Sequence, residues 1–62
     1  MNKPAAKAIL AFIDDKIEEH TIGIEKSQAD HEWPMFDYHE GAKETLEVTR
    51  AFITEQIEEE DK

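Results

Sequence analysis

The chain has 62 residues, with 16 acidic against 7 basic side chains and a formal charge of −9 at pH 7. That length makes one small domain at most, and the absence of cysteine excludes a disulfide framework and a thiolate metal site. The negative balance argues against direct binding to a nucleic-acid backbone or an anionic membrane surface, because like charges repel.

No segment reads as a signal peptide. The longest apolar stretch, Ala8 to Ile13, falls far short of the ~20 residues that cross a bilayer. A disulfide-free chain is compatible with a reducing compartment, and the expected location is cytoplasmic.

The first predicted element opens at Pro4, which suits a first helical turn with Asn2 or Lys3 as cap. From there Ala6, Leu10, Ile13, Ile17, His20, Ile24, Ser27 and His31 recur at alternating steps of four and three, which keeps them on one stripe of a helix. Ile9 and Phe12 widen the stripe on one flank, and Asp14, Asp15, Glu18, Glu25 and Lys26 lie opposite. Gly23 costs about 1 kcal/mol relative to Ala in a helix interior and is also a natural C-cap. Ile24 returns to the stripe, however, and the following EKSQADHE holds no breaker. The reading is therefore one continuous helix over about 4–31.

Trp33-Pro34 marks the boundary, since proline disfavours helical geometry in the residue before it. The expected turn covers about 32–36. A second helix then runs over about 37–59, with Asp37 and Glu40 resembling a capping box. An earlier start, with Pro34 in the first turn, is the alternative. The inward face of this helix is read as Tyr38, Ala42, Thr45, Leu46, Thr49, Phe52, Ile53, Gln56 and Ile57. Lys43, Glu44, Glu47, Arg50, Glu55 and Glu58 are read as outside, and Val48 as marginal. The closing EEEDK places negative charge where the helix dipole disfavours it, so the last three to five residues are expected to fray.

Two phrases nearly repeat: AFIDDKIEE at 11–19 and AFITEQIEE at 51–59. Both obey the same amphipathic pattern, which explains the likeness without a duplication. Helices joined by a short loop fold back antiparallel. With a turn near residue 33 or 34, Ile13 meets Ile53, Ile17 meets Thr49 and Leu10 meets Gln56. The apolar arcs span about 150–180° of each helix, more than one neighbour covers. The expected fold is therefore all-α: a single antiparallel helical hairpin over residues 1–62, dimerising by a two-fold axis into a four-helix bundle. Leu10, Phe12, Ile13, Ile17, Ile24, Leu46, Phe52, Ile53 and Ile57 are its core and dimer residues.

Candidate chemistry is sparse. His20, His31 and His39, with Asp30, Glu32, Asp37 and Glu40 near the turn, are nitrogen and oxygen donors of the kind zinc accepts. The H-x₇-H spacing of His31 and His39 matches no compact metal motif, so no metal and no cofactor are expected, and the three histidines stand as alternative ligands. Trp33, Met35, Phe36 and Tyr38 make an aromatic corner that either plugs the turn end or docks a protein partner. The lone serine, Ser27, lies in no catalytic motif, and no glycine-rich phosphate loop is present, so catalysis is not expected.

Residues 38–53, YHEGAKETLEVTRAFI, carry Tyr38, Gly41, Leu46, Phe52 and Ile53 in the pattern Y-x-x-G-x-x-x-x-L-x-x-x-x-x-F-I. The stretch resembles the second helix of many short proteins of bacteriophages and prophages. That resemblance implies a small helical accessory protein and brings no functional residues with it. The function expected is a non-enzymatic interaction module, self-associating and binding another protein through the aromatic turn end. The alternatives are an acidic mimic of nucleic acid that blocks a basic site, and a histidine-dependent metal-binding bundle.

Overall fold

A computed structural model describes residues 2–60. They form two helices, α1 (Lys3–Ala29) and α2 (Trp33–Glu60), packed against each other. At the start of α1, Asn2 is extended and its Oδ1 accepts the N–H of Ala5 at 3.3 Å, with Pro4 in the first turn. That satisfies one of the amides a helix start leaves open. α1 runs unbroken through Gly23. Thr21 and Ser27 donate their hydroxyls back to the carbonyls of Ile17 at 2.8 Å and Gly23 at 2.6 Å.

The turn comes earlier than the sequence reading placed it. The His31 N–H bonds to the carbonyl of Gln28 at 3.2 Å and the Glu32 N–H to that of Ser27 at 2.8 Å. This pair of bonds is a Schellman motif, and its left-handed residue is His31, at φ 57°. The Glu32 carbonyl then accepts the N–H of Phe36 at 2.9 Å, opening α2. So α1 ends at Ala29 rather than 31, and α2 begins at Trp33 rather than 37, the earlier start with Pro34 in its first turn. Pro34 does not break the chain, because amides in a first turn lack intrahelical partners in any case. At the far end α2 continues to Glu60. The rest of the acidic tail, 61–62, where fraying was expected, lies outside the described residues.

The α1 stripe is as read up to Ser27: Ala6, Ile13 and Ser27 are buried, and Leu10, Ile17, His20 and Ile24 half-buried. His31 lies past the helix end and is exposed. α2 is rotated from the expected setting. Lys43 and Arg50, read as outside, are half-buried, while Tyr38, Thr45, Thr49 and Phe52, read as inside, are exposed. The cause is visible in the spacing. Residues 39, 43, 46, 50, 53 and 57 form one four-three stripe and turn toward α1. Residues 38, 42, 45, 49, 52 and 56 form a second such stripe beside it. The sequence reading merged the two. Moving the turn also moves the register, so Asp14 lies across from Arg50 and His20 across from His39.

The result is a rod. Its Cα extents are 47 × 15 × 11 Å and its radius of gyration is 14.3 Å, against about 10.6 Å for a compact chain of this length. Ile13 and Ile53 are the only large hydrophobic side chains buried among the described residues, at 5% and 9% exposure, and none is fully buried. The accessible surface is 4639 Å², where a folded monomer of this mass exposes about 4,100 Å². Neither helix is long and apolar enough to cross a membrane.

Candidate functional site

The two long sides of the rod differ in chemistry. On one, the Arg50 Nε donates to Asp14 Oδ1 at 2.6 Å and its second nitrogen to Oδ2 at 3.4 Å. The Arg50 hydrogen bond holds the Asp14 carboxyl below its ordinary range, and Asp14 pushes Arg50 up in return. Both side chains are about half exposed, so water screens the pair.

The opposite side carries an open groove of about 460 Å³, lined from α1 by Phe12, Lys16 and His20 and from α2 by Tyr38, Gly41, Ala42, Thr45 and Leu46. Lys16 pairs with Glu19 at 3.0 Å and lies 5.4 Å from the centre of the Phe12 ring. The α2 wall of this side runs Tyr38, Gly41, Ala42, Thr45, Val48, Thr49, Phe52 and Gln56 without a charged residue. In a chain of charge −9, such a strip, about 27 Å long at 1.5 Å per residue, is a departure from the surface around it. The acids Asp15, Glu18, Glu25, Glu44, Glu47 and Glu55 lie exposed elsewhere on the two helices.

The strip's two threonine hydroxyls are already bonded. Thr45 donates to the Gly41 carbonyl at 3.0 Å and Thr49 to that of Thr45 at 2.8 Å. Their donors need no water, so covering them costs little. Gly41 is exposed, and a Cβ there would meet nothing within 4 Å. Nothing inside the hairpin accounts for a glycine in mid-helix.

No family model, no curated protein and no solved structure matches this chain. The functional reading therefore rests on the surfaces themselves.

At the seam, the Nδ1 atoms of His20 and His39 stand 2.9 Å apart. A hydrogen bond at that distance needs one Nδ1 as donor and the other as acceptor. Tyr38 meets both rings edge-on, with centroids 5.6 Å from His20 and 5.0 Å from His39. Gly23 makes room for the pair, because a Cβ there would fall 2.6 Å from atoms of the His39 ring. His31 stands apart at the turn, tilted against Trp33 at 5.9 Å.

The predicted aromatic corner is only partly assembled. Trp33 packs edge-on against half-buried Phe36 at 5.6 Å, while Trp33 and Met35 remain 50% and 45% exposed. Tyr38 belongs to the groove instead. Of the core and dimer residues, Leu10, Ile17, Ile24, Leu46 and Ile57 are half-buried, and Phe12 and Phe52 stand 61% exposed. The sequence reading missed the partnership of Gly23 with His39, which depends on register, and the roles of Gly41 and Thr45. The signal for the latter was the seven-residue recurrence of Tyr38, Thr45 and Phe52, interleaved at four-three spacing with the equally uncharged Ala42, Thr49 and Gln56.

Proposed function

We propose that this protein is a non-enzymatic interaction module that works as a homodimer, two hairpins joined by a two-fold axis into a four-helix bundle. The observation that carries this reading is the uncharged α2 strip from Tyr38 to Gln56 lying beside exposed Phe12. The hairpin leaves uncovered the apolar surface that a bundle core would use. The rod's broad face, 47 by 15 Å between Cα atoms, projects about 700 Å² before side chains are added, close to the ~800 Å² each partner contributes to a standard interface. The bare backbone at Gly41 lets a neighbouring helix approach closely. A small accessory role is consistent with the phage-like pattern, whose Tyr38, Gly41 and Phe52 all lie on this strip.

The test is charge placed on the strip. Thr45→Glu and Val48→Glu change neither the seam nor the turn. Each is expected to halve the mass seen by light scattering on a size-exclusion column, whereas Glu47→Lys, off the strip, is expected to leave it unchanged. An unaltered mass in both strip variants would refute the assignment.

A second reading concerns the turn end. Trp33 and Met35 are exposed, away from the strip, and offer an anchor for a different protein. On this reading Trp33→Ala abolishes capture of that protein and leaves the homodimer intact; capture by the Trp33→Ala protein would exclude it.

A further inference from the structure

We infer that His20 and His39 form a two-histidine site for a borderline divalent cation of the zinc, nickel and copper class, one imidazole from each helix. Imidazole suits these metals. Two imidazoles on one tetrahedral zinc, at about 2.05 Å from each nitrogen, place their nitrogens about 3.3 Å and their ring centres about 5.2 Å apart. Here the Nδ1 atoms are 2.9 Å apart and the ring centres 5.1 Å. The ring centres thus already stand at the spacing of a chelate, while the nitrogens, now at hydrogen-bond distance, must part by about 0.4 Å and each ring must turn to bring two lone pairs onto a shared cation. The ring that donates Nδ1–H must carry that proton on Nε2 instead for both Nδ1 atoms to act as acceptors.

The surroundings allow this. His20 lines the groove, which is open to solvent and gives the ion a path in. The missing Cβ at Gly23 leaves the His39 ring beside the α1 backbone, within reach of its partner. Among the described residues no third His, Cys, Asp or Glu gathers with the pair. Water therefore completes the coordination, and the site is open and exchangeable rather than a closed structural centre. Lys16 is the cation nearest in the groove wall, and it is engaged with Glu19. The site needs only one protomer, so it stands or falls separately from the dimer.

The experiment is titration of the metal-free full chain with zinc chloride and with nickel chloride at pH 7.5, followed by ¹⁵N histidine-ring NMR and by thermal melting. Zinc is expected to shift, and nickel to broaden, the ring signals of His20 and His39 together and saturably, with those of His31 unaffected. Zinc is expected to raise the melting midpoint of the native protein and of His31→Gly by several degrees. That rise is expected to vanish in His20→Gln and in His39→Gln, each checked for helicity by circular dichroism. The wild-type ring signals decide the matter even where a variant folds poorly. Equal response of all three rings, a melting shift retained in either seam variant, or no saturation below millimolar metal overturns the site.

Discussion

His31 occupies the one left-handed position of the turn, at φ 57°. For a residue with a Cβ that conformation costs roughly 1–2 kcal/mol, which glycine avoids. His31→Gly is therefore expected to stabilise the fold by about 1 kcal/mol in urea unfolding, while His31→Val, β-branched, is expected to lose a similar amount. The sign for Gly23 is reversed. Alanine is the better helix former by about 1 kcal/mol, but its Cβ would fall 2.6 Å from the His39 ring. Gly23→Ala should destabilise the native protein and stabilise the His39→Ala protein, a coupling that a double-mutant cycle reads directly. A third prediction concerns Asp14, whose carboxyl is held low by Arg50. A depressed folded-state pKa stabilises above the unfolded value, about 3.9, and that contribution drains as pH falls through the folded value. The gap in melting midpoint between the native protein and Asp14→Asn should thus be constant above about pH 5 and close below pH 4.

At the scale of elements, α1 was legible because a single stripe dominates it. Alanine-rich turns and unbroken four-three spacing carried it through Gly23, and the structure follows. α2 was harder to read, because two stripes of equal spacing lie side by side on it. Hydropathy ranks Tyr38 and Phe52 above His39 and Arg50, and so points the helix about one stripe away from its seam. Register decides between them, and register follows from a turn that His31, not Pro34, sets. A histidine at a left-handed position carries far less sequence signal than a glycine or a proline. The seam pair His20 and His39 was unreadable for the same reason. The fourth prediction belongs here. On an exposed helix face Gly41→Ala should add about 1 kcal/mol of stability. With a second chain pressed against the bare backbone at Gly41, the added methyl should instead weaken association, seen as a higher protein concentration at the monomer–dimer midpoint.

For the whole molecule the issue is coverage. A two-layer rod with, among the described residues, two buried large apolar side chains and exposed Phe12, Val48 and Phe52 has little interior with which to offset the ordering of its backbone. The α2 wall of one broad side, facing the Lys16–Glu19 pair from α1, carries no charge and has its threonine hydroxyls bonded within their own helix. Both features suit a surface that is dry in the working state. The most direct measurement is sedimentation equilibrium of the unmodified protein from low to high micromolar concentration. A reversible transition toward twice the 7.2 kDa chain mass, with thermal stability rising alongside it, is the predicted result. A single species at the chain mass across that range, melting cooperatively at a concentration-independent temperature, would contradict it.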